Sequence, residues 1–478
     1  MIGEQSAYRW EELDRRVDAV AGALQAIGLK KGDIIGLCLS KCPEIVITFL
    51  AAARVGALVA PINYKMEQAN LQKLFEECQF SLVVLEKRFD AIVRDSAGRY
   101  VYVGETGELS PDDFASLSGD FNPDAAHVEP DDAVYLNVTS GTTGRPKSAV
   151  GTHAQILWNA VATVDGLGFR EDDVFLCMFS AFSHPHELFH RSLLTGATTV
   201  VVDTLSPRRV AGLIRKHRVT WVMAVPAFYE MMLARVEPAE LDCSSLRVLE
   251  SGGAWVSPET MRRIEANFEC EFIPVWGSTE THGVAVALTG KANRPAGATG
   301  WAIAHYGVEV VDRHGRPVES GQVGEMVVSG PGVAQSYYRQ PEVTEAHFSN
   351  GRYFTGDLVR RDQDGVLWFV GRKNDLMKVG GIRVFPLEIE KAVVEHPSIA
   401  EVSVVRATER VRGEIPRAIV CLHSGETLSQ NEVKAWCRRH LAVYKVPRIV
   451  EFWPRLPRLP NGKIDRRVIE QTPVGKVA

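Results

Sequence analysis

Thr139-Ser140-Gly141-Thr142-Thr143-Gly144-Arg145-Pro146-Lys147 constrains this chain more than any other stretch. Six of its nine residues are Thr, Ser or Gly. Upstream, Ala133 to Val138 reads as a buried strand, and downstream Thr152 to Trp158 opens a helix with Thr152 as its N-cap. A strand, a small-residue loop and a helix form a cradle for polyphosphate: backbone N–H groups approach phosphate oxygens, and the hydroxyls add donors. Lys147 supplies a mobile positive charge. The spacing is not that of a Walker A loop, because Gly141 and Gly144 are three apart and Pro146 precedes the lysine. Alone, such a run is more often a flexible loop, so its neighbours must decide.

On both sides of this loop, apolar patterns alternate between helical and strand periods. Trp10 to Ile27 carries apolar residues at helical spacing with Gly28 as C-cap. Asp33–Leu39 is a strand, Pro43 to Gly56 a helix, Ala57–Ile62 a strand, Leu71–Cys78 a helix and Phe80–Leu85 a strand. Further on, 198–202, 221–225, 246–250 and 272–275 read as strands, with helices at 206–217 and 258–268. This order implies βαβ units and a mainly parallel, doubly wound α/β architecture. Past Pro295 the texture changes to short strands and Gly-rich turns, such as 307–311 and 324–329, which reads as a distorted β-barrel subdomain. After Gly371-Arg372 a small α+β unit begins, with helices at 386–395 and 430–441 and a strand at 402–406. At 478 residues the chain exceeds one ordinary core. The expected domains are 1–373 and a mobile 374–478.

Composition narrows the partners. A net charge of −5 gives no argument for nucleic acid or a membrane surface, and no apolar run reaches spanning length. The N-terminus lacks the basic and apolar regions of a signal peptide, so a cytoplasmic location is expected. The eight cysteines form no C-x-x-C pair, which points to free buried thiols in a reducing compartment.

The loop resembles the phosphate loop of the adenylate-forming superfamily, which includes acyl-CoA ligases, peptide-synthetase adenylation domains and luciferases. Ser148 stands where that family usually has Gly. Further motifs follow in family order. Val275-Trp276-Gly277-Ser278-Thr279-Glu280 matches the aromatic-Gly-x-Thr-Glu motif. The resemblance implies that Trp276 stacks on adenine, Thr279 bonds the α-phosphate and Glu280 holds Mg²⁺. Ser251-Gly252-Gly253-Ala254 resembles the turn between adenine and the acyl pocket, where glycine allows close approach to a flat ligand. Thr355-Gly356-Asp357 resembles the motif whose Asp accepts both ribose hydroxyls, and Arg372, fifteen residues after Asp357, would reach ribose or phosphate. Asn374 falls at the hinge, where the family commonly has Asp or Lys; asparagine tolerates positive φ. Lys378 and Gly381 lie on the loop that would line a pantetheine tunnel. Lys463, in Leu459-Pro460-Asn461-Gly462-Lys463, matches the adenylation lysine. Pro386-Leu387-Glu388-Ile389-Glu390 resembles the helix start of acyl-CoA ligases more than that of amino-acid adenylation domains.

In Ala181-Phe182-Ser183-His184-Pro185-His186-Glu187-Leu188-Phe189-His190, His184 matches a family histidine beside the carboxylate. Amino-acid-activating relatives carry Asp there. The three histidines with Glu187 also suggest a metal set, although Pro185 interrupts helical spacing. Glu187 replaces a small residue, so His186 or Glu187 is expected to meet a polar group of the acid. Val275 is expected to occupy space in the acyl pocket, and Gly277 to leave it open where acetate-activating relatives place Trp.

The implied activity is an ATP-dependent acid–CoA ligase forming an acyl-adenylate, then a thioester, on an aromatic or short-to-medium-chain acid. Its implied cofactors are ATP, Mg²⁺ and coenzyme A, or the phosphopantetheine of a carrier protein. A carrier-loading enzyme, a luciferase-like oxidation and a nucleotide-binding regulator without turnover stay open as alternatives. The oligomeric state does not follow from the sequence, and a homodimer stays open.

Overall fold

The computed structural model describes residues 1–478 apart from 5, 95, 105–112, 140–146, 238–240, 410–412, 459–463 and 478, and apart from the side chains of Thr139 and Ala292. Two compact units form: Met1–Val308 with Val328–Phe354, and Glu309–Val327 with Thr355–Ala478.

The first unit contains two sheets. One is built from Ile34–Cys38 (β1), Leu58–Pro61 (β2), Leu82–Glu86 (β3), Tyr100–Val103 (β4), Ala133–Thr139 (β5) and Lys147–Thr152 (β6), in the order β4-β3-β1-β2-β5-β6. The pairs are parallel except for the last, β5 with β6. The second sheet uses Val174–Cys177 (β7), Thr198–Val200 (β8), Trp221–Ala224 (β9), Val248–Ser251 (β10), Glu271–Ser278 (β11), Gly283–Ala287 (β12) and Trp301–Ala302 (β13), in the order β13-β12-β11-β10-β9-β7-β8. It is parallel from β11 to β8 and closes with two antiparallel pairs. The strands β1, β2, β9 and β10 are buried along their whole length, as parallel strands covered on both faces must be.

The helix Pro43–Val55 is apolar almost all round and is buried almost all round. Proline at its start fixes the first turn, and Gly56, with φ +74°, ends it in the left-handed conformation. Its Phe49 packs on Tyr135 of β5, ring centroids 5.6 Å apart, and on Phe189, 5.4 Å away. Such aromatic pairs contribute about 0.5–1.5 kcal/mol each beyond the area they bury. Phe49 therefore ties the first sheet to the segment that follows β7.

Three strands carry the chain from one unit into the other: Gly307–Val311 (β14), Val323–Ser329 (β15) and, after the short Phe348–Ser349 (β16), Arg352–Arg361 (β17). The short strands expected past Pro295, at 307–311 and 324–329, correspond to β14 and β15. In the second unit β17 pairs antiparallel with Leu367–Arg372 (β18). Met377–Val379 (β19), Ile382–Val384 (β20), Ile399–Glu409 (β21), Gly413–Leu422 (β22) and Ile449–Phe452 (β23) form another sheet. The helices Pro386–Val394 and Gln430–His440 cover it, burying Ile389, Val393, Val433 and Cys437 against Val404 and Val420. Among the described residues no helix is long and apolar enough to cross a membrane. All eight cysteines are unpaired.

Candidate active site

The phosphate-loop stretch closes a hairpin. Thr139 pairs with Lys147, Val138 with Ser148 and Asn137 with Ala149 across β5 and β6. The expected helix starts only at His153, with Thr152 as its cap: the Thr152 hydroxyl accepts from Gln155 N at 3.2 Å, and Gln155 Oε1 accepts from Thr152 N at 3.0 Å. The strand–loop–helix reading is thus corrected to strand–loop–strand, so this helix N-terminus does not serve the loop. The signal for β6 was weak because its burial does not alternate strictly along Lys147–Thr152. Ser140, Gly141, Thr142, Thr143 and Gly144 lie outside the described residues, as does the side chain of Thr139.

Lys147 emerges at the first position of β6, where the hairpin register fixes its backbone. Its ammonium lies 3.2 Å from His347 Nε2 and 5.3 Å over the Tyr337 ring. Because the Phe354 carbonyl is an acceptor only, His347 Nδ1 donates to it at 3.2 Å, which leaves Nε2 to accept from Lys147. Tyr337 is buried, and its hydroxyl donates to Glu280 Oε1 at 2.6 Å. Burial, and then the Glu280 carboxylate, push the Tyr337 phenol far above its ordinary pKa, so it stays a donor. Tyr337 and His347 carried no motif: they stand 57 and 200 residues from Glu280 and Lys147 respectively.

Glu280 belongs to a tight turn after β11. Ser278 caps the turn Thr279–Thr281, and the Ser278 N–H donates to Thr281 Oγ1 at 3.0 Å. The Glu280 carbonyl accepts from Ala334 N at 2.8 Å. Trp276 is half-buried on β11 opposite Val286 of β12, and a β-bulge follows between Trp276 and Gly277. That bulge corrects the reading of Gly277. The place of its missing side chain is filled by the Gly283 backbone, with Val284 Cα at 3.1 Å. Gly277 is there because two backbones approach closely, not because a pocket is open beside it.

The parallel register Ser251↔Pro274 sets Gly252 beside Val275. Val275 Cγ2 comes within 3.2 Å, and Phe179 Cζ within 3.6 Å, of where a Cβ on Gly252 would stand. Val275 and Phe179 are both half-buried, so they form an apolar patch at the C-terminal ends of β7, β10 and β11. Gly253 turns the chain at φ +88°, and Ala254 follows it in the loop after β10.

His184 is half-buried at the head of the turn Pro185–Leu188, its ring 5.9 Å from that of His186. The expectation for its neighbours is overturned. His186 and Glu187 are buried and engaged by the protein: His186 Nε2 donates to the His282 carbonyl at 2.7 Å, and Glu187 Oε2 accepts from Arg191 at 3.0 Å. They therefore do not meet a polar group of an acid. Among the described residues no group of three or more His, Cys, Asp or Glu is placed to hold a metal ion.

In the second unit, β17 and β18 set Asp357 opposite Arg372, and Arg372 Nε lies 3.1 Å from Asp357 Oδ1. Asp357 is 3% exposed, whereas the Arg372 side chain is 54% exposed. Glu325 accepts from Gly356 N at 3.1 Å and from Lys373 Nζ at 2.9 Å, holding the turn before Asp357. Asn374 sits in the single-turn helix Lys373–Asp375 and is not among the residues of positive φ; its carbonyl accepts from Arg406. Lys378 is exposed on β19, with its N–H donating to Glu414 at 2.6 Å. Gly380 and Gly381 make the turn to β20, at φ +55° and +86°. Lys463 lies outside the described residues, but its flanks are anchored. Arg458 bridges Ile464, and Arg466 donates to Glu390 and to the Val404 carbonyl, both at 2.8 Å.

Residues 1–338 match the family model described as AMP-binding enzyme, and residues 388–463 match the AMP-binding enzyme C-terminal domain. The chain is 32% identical to an indoleacetate–CoA ligase of Aromatoleum aromaticum, covering 97% of this chain and 92% of that one. It is 31% identical to a feruloyl-CoA synthase of Amycolatopsis sp, over 96% and 92%. A solved anthranilate CoA ligase in complex with anthranoyl-AMP superposes with a TM-score of 0.89 at 25% identity, over 98% of this chain and 92% of that one. With both family models matched in order and relatives aligned along nearly the whole chain, this protein belongs to the AMP-binding enzyme family, in the acyl-CoA synthetase branch of the adenylate-forming superfamily.

Proposed function

We propose that this protein is an AMP-forming carboxylic acid–CoA ligase that works on an aromatic or short-to-medium-chain acid. The observation that carries the reading is the Lys147–Tyr337–Glu280 cluster at the foot of the phosphate-loop hairpin. A cation and a carboxylate held side by side suit a polyphosphate and its counter-ion. Glu280 fits Mg²⁺ in kind, being a hard oxygen donor oriented by a phenol, and the ion would offset polyphosphate charge there. The aromatic preference is supported by the apolar patch of Val275 and Phe179 and by the printed substrates of the similar proteins.

In this reading the acid's carboxylate oxygen attacks the α-phosphorus of ATP, and the bond to the bridging oxygen of pyrophosphate breaks. Lys147 and the loop hold the β and γ phosphates. Lys463 approaches the carboxylate and α-phosphate, where negative charge is shared in the transition state. Thr279 bonds the α-phosphate, Trp276 stacks on adenine, and Asp357, held by Arg372, accepts the ribose hydroxyls. The chain then turns about Asn374, so that residues 1–373 and 374–478 rearrange as two bodies. Lys463 withdraws, and the loop of Lys378 and Gly381 lines the thiol's path. The thiol attacks the acyl carbon, the thioester forms and AMP leaves. Pro386 at the helix start supports free CoA as acceptor over a carrier protein.

The test is ATP–pyrophosphate exchange across aryl and straight-chain acids, followed by CoA or a phosphopantetheinylated carrier with the best acid. Acid-dependent exchange and conversion of CoA to a thioester are expected. Exchange with transfer only to the carrier would move the acceptor, and ATP binding without exchange on any acid would end the ligase reading.

A further inference from the structure

One charged cluster lies outside the residues assigned above. Arg191 is fully buried, and its guanidinium takes both oxygens of Glu250, at 2.5 and 3.1 Å, and Glu187 Oε2 at 3.0 Å. Trp221 Nε1 donates to Glu250 at 2.9 Å, and Arg191 lies 5.4 Å over the Phe175 ring. Glu187 and Glu250 have side-chain exposures of 2% and 0%. Three charges removed this completely from water are a poor way to gain stability, because desolvation offsets most of their attraction. Their placement is informative. Glu250 is the penultimate residue of β10, directly before Ser251-Gly252-Gly253. Glu187 lies in the turn headed by His184. From that same turn His186 donates to the carbonyl of His282, the residue that ends the Glu280 turn. One short segment, His184 to Arg191, is therefore bonded to the strand ends carrying two other motif loops.

We infer that Arg191 is a positioning residue: with Glu187 and Glu250 it locks the His184 turn to the Gly252–Gly253 turn, and so sets the distance between the two walls of the acid site. The inference rests on the ligase reading and concerns only the first half-reaction. A bidentate guanidinium fixes direction as well as distance, which lysine, a rotating point charge, does not. An all-apolar contact would hold the segments together but would allow them to slide.

Two kinds of variant test this. Arg191→Lys keeps the charge and loses the fork. The triple variant Glu187→Met, Arg191→Met, Glu250→Leu removes all three charges at similar volume, and apolar replacement of a buried charged triad is commonly tolerated by the fold. Melting temperature, CoA thioester formation from supplied acyl-adenylate, and exchange kcat and KM for acid and for ATP are measured on each. With a melting temperature near the wild type, acid kcat/KM in exchange is expected to fall roughly 10- to 100-fold, as a misplacement of about an ångström does. Arg191→Lys should fall less than the triple variant, and thioester formation should hold. Folded variants with wild-type acid kcat/KM would overturn the inference. So would failure of both variants to fold, since the cluster would then be a folding element. If the wild type itself exchanges with no acid, the ligase reading fails, and the inference, which rests on it, falls with it.

Discussion

Two clusters in the first unit use the same kinds of residue to different ends. Arg191, Glu187 and Glu250 lie deep between strand ends, and the guanidinium fork meets carboxylate oxygens on two sides. Lys147, Tyr337 and Glu280 are joined more loosely: a ring beneath an ammonium, one short phenol hydrogen bond, and a histidine nitrogen at 3.2 Å. Lys147 is half-buried, whereas Arg191 is fully enclosed. A charge enclosed between fixed carboxylates and kept dry serves geometry. A charge left at a half-open edge keeps capacity for a ligand. Charge alone did not distinguish them; burial did.

The comparison breaks most visibly if the closed cluster is unbalanced. Arg191→Met leaves two carboxylates buried together and should lower stability by about 3–5 kcal/mol, measured by denaturant unfolding. A loss under 1 kcal/mol would mean that water reaches the cluster. At the open cluster, Glu280→Gln keeps an oxygen to accept from Tyr337 and should change stability by only about 1 kcal/mol. Pyrophosphate exchange should fall roughly 10²–10³-fold, about 2.7–4 kcal/mol of transition-state stabilisation. Equal losses of stability and activity would erase the distinction. Tyr337→Phe removes one hydrogen bond to a charged group and should cost about 1.5–3 kcal/mol. The KM for ATP is expected to rise, and a fall in melting temperature with an unchanged KM would make this hydrogen bond purely structural.

The smallest effect concerns pH. Burial holds His282 down to a pKa of about 3, and His186 and His190 are also lowered by burial. In the unfolded chain these rings protonate near pH 6.5. For His282, between those limits the unfolded chain binds more protons, so stability is lost as the pH falls below about 6.5, by up to about 1.4 kcal/mol per pH unit. Unfolding free energy should therefore drop between pH 6.5 and 5, with a shallower slope in His282→Gln. An unchanged slope in that variant would assign the titration elsewhere.

Motifs were legible where small residues and charges sit next to each other in the chain. Asp357 and Arg372 are joined by a hairpin, and hairpin partners share a short stretch of sequence. The expected strands and helices of both units stand close to where the apolar periods put them. Long-range partners were not legible. Tyr337 and His347 reach Glu280 and Lys147 only through tertiary folding. Glu250 offered one faint signal, an acid inside an otherwise apolar strand buried along its whole length. His186 and Glu187 were misplaced because a polar residue beside a motif reads as a ligand contact when its partner, Arg191, cannot yet be seen. Gly277 was misread for a related reason: a glycine signals space in a sequence, but here that space is filled by another strand's backbone.

The hairpin has one more consequence, for how the loop can vary in length. Thr139 and Lys147 are locked opposite each other, and every pair behind them inherits that alignment. A deletion taken up inside residues 140–146 leaves the alignment alone. A deletion that drags the strand by one step toward the loop would bring Ser148, which is 1% exposed, into the slot of Lys147 opposite Thr139. The lysine would then leave the ladder, and a hydroxyl would stand at the edge in its place. The hairpin thus works as a ruler with a single permitted mark: the lysine keeps its position at the rim only while Thr139 and Lys147 stay paired, whatever the length of chain between them.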